Sequence, residues 1–361
     1  MSVLSFIIGA LLILFVLLDT FETIVLPRRV NNPLRLTALF YLSTWALWSA
    51  PARRRPAGPK RETYLAFFGP LSLLVLLGVW SLGLMFGFAL LYHAFPGALQ
   101  TSVSPMTFWT DLYVSGTTLF TLGLGDVTPT NGPGRVLMIV EVGMGFAFLA
   151  LVIGYLPILY QAFSRREANI SLLDARAGSP PSASELLNRC GGDERCQATS
   201  EFLSTWERWS AELLETHLSY PVLGYYRSQH ENQSWLAAMT TILDVSALAM
   251  VGIDGVSRRQ GQLTFAIARH TIVDLAQVFR TSPTRDLPER LTPGEFDKLA
   301  SFLQPAGLAL KPENDPYPRL TELRKLYEPY VAALSEYFLM PIPGWFPAEA
   351  RLDNWQSTAW H

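Results

Sequence analysis

Residues 117–129 read TTLFTLGLGDVTP, a run of threonine, glycine and a single acid set between two long apolar segments. An ordinary hairpin between two such segments needs only a turn. Upstream, Ser104-Pro105 reads as an N-cap followed by proline at the first helical position, which predicts a short helix over 106–119. At about 1.5 Å per residue that helix cannot cross a hydrocarbon core of roughly 30 Å, so the chain has to dip in and return. The returning strand, Thr121-Leu122-Gly123-Leu124-Gly125-Asp126, then lies at membrane depth without helical hydrogen bonds. Unmet carbonyls at that depth are costly unless something polar faces them, and a line of bare cations is such a partner. Glycines at 123 and 125 permit the dihedrals that turn successive carbonyls the same way, which a regular strand cannot do. Leu122 and Leu124 are expected to point backwards into packing.

The rest of the chain supplies the membrane. Its 361 residues are 50% hydrophobic and only 16% charged, too apolar for an average soluble protein. The charge is uneven: residues 1–163 hold 9 Lys/Arg and 6 Asp/Glu, and residues 164–361 hold 19 and 24. A transmembrane domain over 1–163 and a cytoplasmic domain over 164–361 are therefore expected. The net charge of −2 and the lack of a basic stripe interleaved with aromatics exclude a strongly basic nucleic-acid binder. Spans are predicted at about 3–26, 64–92 and 134–163. The first lacks the basic start and small-residue cleavage site of a signal peptide and is expected to be retained.

Arg28, Arg29, Arg35, Arg53, Arg54, Arg55, Lys60 and Arg61 separate the first span from the second and mark that connection as cytoplasmic. Residues 34–50 are almost long enough to cross. Lying along the inner surface instead, they keep all these bases inside and place Trp45 and Trp48 at the interface, so an interfacial helix is expected. No span carries Arg or Lys at every third position, which excludes a voltage sensor of the usual kind. The contiguous Arg53–Arg55 run suits lipid headgroups.

TTLFTLGLGD resembles the pore loop and selectivity filter of potassium channels, whose common form is Thr-Val-Gly-Tyr-Gly-Asp. The resemblance covers span, re-entrant helix, filter and span, about residues 63–163. It implies that Thr121, Leu122, Gly123 and Leu124 offer carbonyls to K+, that Gly125 closes the outer turn and that Asp126 braces the outer mouth. It further implies a homotetramer in the cell membrane, with K+ as permeant ion and no cofactor. Two departures stand out. Leu124 replaces the usual Tyr and its hydroxyl, and Thr117 stands where some relatives carry Glu, so it cannot pair with Asp126 as a carboxylate. In the following span Gly143, Gly145, Gly154 and Pro157 are gating candidates, either as hinges or as close helix contacts. Glu141 is read as a packed acid behind the filter or a functional charge. Asp19 and Glu22 are read as partners of Arg28, Arg29 or a neighbouring chain, or as interfacial anchors.

Beyond residue 163 the pattern is helical. Residues 177–185, AGSPPSASE, read as a linker or loop, followed by helices over 194–217, 233–251, 261–279, 296–303 and 320–338. No G-x-G-x-x-G strand–helix unit, G-x-S-x-G, P-loop or H-E-x-x-H occurs. His217, His230 and His270 read as packed or solvated side chains, and Cys190 and Cys196 as thiols on a Gly-rich loop. The expected fold class is an all-α membrane protein, a pore-loop potassium channel-like transmembrane domain joined to a mostly α-helical cytoplasmic domain. The expected function is passive, K+-selective conduction and not enzymatic. The alternatives are a weakly selective monovalent cation pore, which Leu124 would permit, and a membrane-anchored receptor or enzyme that uses the cytoplasmic domain.

Overall fold

Val3–Thr20 forms α1, prolonged by a π-helical turn over Phe21–Val25. The computed structural model describes residues 2–26, 35–101, 105–190, 195–230, 232–253, 256–311, 315–347 and 356, without the side chains of 195–198. Arg28, Arg29, Ser104 and the Cys196 side chain thus lie outside the described residues. Among these residues three helical stretches are long and apolar enough to cross a membrane, Val3–Val25, Pro59–Ala94 and Gly132–Ala177.

The chain divides into two compact units. One comprises Met1–Arg54 and Phe67–Tyr160, the other Arg55–Ala66 and Gln161–His361. The segment 55–66, which the sequence groups with the spans, therefore belongs to the second unit. Its ties explain why: Glu62 lies 3.3 Å from the buried Arg227 guanidinium, and Arg61 donates to the Leu339 carbonyl at 3.4 Å.

In the first unit, α2 (Leu36–Arg53) begins where α1 ends. Asp19, buried near the end of α1, accepts from the Thr37 amide at 3.2 Å, the Thr37 hydroxyl at 2.6 Å and the Trp80 indole at 2.8 Å. It thereby caps one helix and anchors another. Glu22 pairs with Arg35 at 3.3 Å. The expected 64–92 span is divided at Phe67 into α3 (Pro59–Ala66) and α4 (Phe68–Ala94). Pro70 sits in the first turn of α4, where a missing N–H costs nothing. α1 packs on α4 through small residues: a Cβ on Gly87 would lie 2.5 Å from Ile13, and one on Gly83 2.8 Å from Val16. Ile13, Val16, Leu76, Trp80, Leu84, Phe88, Val114 and Leu119 share the resulting core.

The short helix expected between the spans, α5 (Phe108–Leu119), starts later than expected. Thr107 is its N-cap, with the Thr107 amide donating to the Thr110 hydroxyl at 3.3 Å. The reciprocal Thr107/Thr110 pair wins over Ser104-Pro105 because it satisfies donors at both positions. Strands β1 (Leu99–Thr101) and β2 (Val127–Pro129) pair antiparallel, Thr101 opposite Val127, and so close the two ends of the loop. The last span is part of α6 (Gly132–Ala177), an unbroken helix that continues well past residue 163.

The second unit contains α7 (Ala183–Cys190), α8 (Arg195–Ser219), α9 (Trp235–Val251), α10 (Arg258–Val278), α11 (Pro293–Leu303), α12 (Pro316–Lys325) and α13 (Glu328–Phe338). The expected linker or loop over 177–185 is a packed turn that runs into α7. Ala183, Ser184, Leu186 and Leu187 are buried, and the Ser184 amide donates to Trp345 O at 3.1 Å. The expected 320–338 helix is two, because Pro329 has no N–H to give to the Lys325 carbonyl and its ring crowds that carbonyl, so α12 ends at Lys325. α9 is buried on all sides, in keeping with a helix apolar around its circumference. Its one acid, Asp244, accepts from Arg290 at 2.8 Å and from Tyr327, while Arg290 also reaches Glu328 at 2.9 Å. The chain is an all-α membrane protein.

Candidate functional site

The segment after α5 has an unusual backbone. φ is +59° at Thr121, +54° at Gly123 and +80° at Gly125, whereas Leu122 and Leu124 between them are not in the positive region. Alternating handedness of this kind carries successive carbonyls to one side of the strand. Glycine tolerates it. Threonine, β-branched, does so at a cost of about 1–2 kcal/mol, a strain that the surroundings have to sustain.

The surroundings do so through the amides. Leu122 N and Gly123 N donate to Thr117 O at 2.7 and 3.3 Å, Thr121 N to Thr118 O at 2.9 Å, and Phe120 N to Gly116 O at 3.1 Å. The strand thus hangs by its donors from the last turn of α5. Its acceptors go the other way: among the described residues no carbonyl from Thr121 to Gly125 accepts a hydrogen bond. A row of oxygens with no donor has the chemistry to face a dehydrated cation.

Leu122 and Leu124, expected in packing, are 63% and 62% exposed. Nothing within one chain buries them. Asp126 accepts from the Tyr113 hydroxyl of α5 at 2.8 Å. Tyr113 was not singled out by the sequence; its side of the pair lies thirteen positions upstream and follows no motif.

Behind the strand sits a buried polar knot. Glu141 of α6 has no exposed surface; it accepts from the Tyr92 hydroxyl of α4 at 2.8 Å and from the Ser115 hydroxyl of α5. His93 Nδ1 lies 3.0 Å from Asp111 on α5. These contacts meet the need of buried polar groups for partners in a medium without water.

The other candidates on α6 separate. A Cβ on Gly145 would lie 2.1 Å from Leu119 O, so this glycine is a close contact between α6 and α5. Gly143 and Gly154 have open space around them, and the helix runs through Pro157 without a break. Much of this face is exposed, including Ile139, Phe146, Leu149 and Ile153. Among the described residues no cluster of three or more His, Cys, Asp and Glu comes together.

Residues 75–162, which contain this whole arrangement, match a family model described as ion channel. Across 269 residues the chain is 24% identical to an uncharacterized membrane protein, YdjJ, of Bacillus subtilis (strain 168), covering 74% of this chain and 75% of that protein. No solved structure matches the chain.

Proposed function

On the premise that the chain carries an ion-channel domain over residues 75–162, we propose that it is a potassium-selective channel conducting passively through a ring of four identical strands. One observation carries the reading: the backbone of Thr121–Gly125 alternates in handedness and leaves its carbonyls without donors. Thr121, Leu122, Gly123 and Leu124 would replace the hydration shell of K+, with Gly125 turning the chain outward and Asp126, held by Tyr113, at the outer mouth. A single strand cannot enclose an ion, and closed cyclic symmetry supplies the others. The exposed Leu122 and Leu124 and the exposed face of α6 support a homotetramer, because neighbouring copies would cover them.

Gly143, Gly154 and Pro157 are the proposed gating positions, and Gly145 is assigned to packing. The bases Arg53, Arg54, Arg55, Lys60 and Arg61 favour a cytoplasmic face for their connection and for the second unit, in a cell membrane. Flux from liposomes holding the purified full chain tests the reading. Potassium should pass and sodium should be excluded. Equal passage of both would favour a weakly selective pore, consistent with Leu124 offering no hydroxyl behind the strand. Passage of neither would refute conduction and return attention to the second unit as a receptor or enzyme.

A further inference from the structure

The last turn of α5 is held from behind at two points one helical turn apart. The Ser115 hydroxyl, which also lies 2.9 Å from Met85 O of α4, hydrogen-bonds Glu141, and Leu119 O lies against Gly145, so that residues i and i+4 of one helix meet residues i and i+4 of the other. Between these two rungs lie Gly116, Thr117 and Thr118, whose carbonyls receive the amides of Phe120, Thr121, Leu122 and Gly123. The strained strand therefore hangs from a turn whose position α6 sets. Of the two rungs, the Gly145 contact is steric and the Glu141 contact is a directed hydrogen bond from a fully buried side chain. Glu141 also takes the Tyr92 hydroxyl, on its second oxygen, so that the Ser115 contact rests on the first oxygen alone.

We propose that Glu141 is a positioning residue for the filter: through Ser115 it sets the register of the α5 turn that holds the Thr121–Gly123 amides, and so governs how sharply the pore discriminates between cations. The proposal rests on the channel reading above. Glu141 touches no permeant ion; it acts through two intervening groups, a hydroxyl and a turn of helix. Tyr92 serves the carboxyl from the outer helix and has no bond to the α5 turn, which separates the two ends of the knot experimentally.

The full-length protein in liposomes or planar bilayers provides the measurement, with sodium-to-potassium and rubidium-to-potassium permeability ratios read from reversal potentials. Glu141→Ala and Ser115→Ala should both raise the sodium ratio severalfold, about tenfold at most, the worth of one hydrogen bond. Glu141→Gln, which keeps one acceptor oxygen, should fall between these and the parent, and Tyr92→Phe should leave the ratios unchanged. A merely structural acid would lower yield or thermal stability in all four variants and leave the ratios alone. Parent ratios in Ser115→Ala would overturn the proposal, even if Glu141→Ala does not assemble, and so would a shift in Tyr92→Phe equal to that in Glu141→Ala. Failure of the parent to conduct would refute the channel reading instead.

Discussion

At the scale of single residues, the decisive numbers are three positive φ angles at alternate positions, Thr121, Gly123 and Gly125. A β-branched residue at +54° is a genuine outlier, so Gly123→Val should abolish potassium flux while the protein still reaches the membrane and assembles. The obstacle is conformational and not steric, since a Cβ at Gly123 meets nothing within 4 Å in one chain. Gly123→Ala should accordingly retain more flux than Gly123→Val, and equal currents in the parent and in Gly123→Val would contradict this. The glycine pair was legible from the sequence because its spacing matches a known requirement of backbone geometry. Tyr113, Ser115 and Tyr92 were not, because a hydroxyl on an apolar helix carries no sign of the acid it will meet, here thirteen to forty-nine positions away.

Among the elements, hydropathy located the three helices long and apolar enough to cross a membrane, and length set α5 apart from them. The ends of the helices are less legible. Helical hydrogen bonding continues beyond the apolar 134–163 stretch to Ala177, through a polar, amphipathic stretch that composition reads as solvent-exposed. The start of α5 was set by a side-chain exchange between Thr107 and Thr110 that competes with an equally plausible cap three residues earlier. Asp19 caps α2, a role that its position near basic residues does not reveal. Removing it in Asp19→Ala leaves the Trp80 N–H and the Thr37 amide buried without an acceptor, at about 1–3 kcal/mol for each. A clear drop in the thermal midpoint of the detergent-purified protein is expected, larger than for Glu22→Ala, whose ion pair with Arg35 is partly exposed. Equal midpoints for the two variants would remove Asp19 from this role.

Over the whole molecule, the second unit holds charge in its interior and should report it through pH. His217 is fully buried; burial, and then the neighbouring positive Arg166, push its pKa from 6.5 down to about 3. The unfolded chain therefore binds a proton below pH about 6.5 that the folded chain refuses, so stability falls as pH falls, by at most about 1.4 kcal/mol per pH unit. Between pH about 6.5 and 5, above the range where carboxylates titrate, the thermal midpoint should decline, and His217→Gln should flatten that decline. Parallel profiles would exclude this histidine as the source. Burial likewise lowers Arg227 to about 10, which leaves it charged at neutral pH beside Glu62. That ion pair joins two stretches far apart in the gene, and it sets a rule for chimaeras. A hybrid made with one breakpoint near residue 160 would pair Arg227 with a foreign segment in place of Glu62 and strand a cation in a dry interior. A donor tail transplanted together with its own counterpart of 55–66, by a double crossover, would arrive with its charges matched.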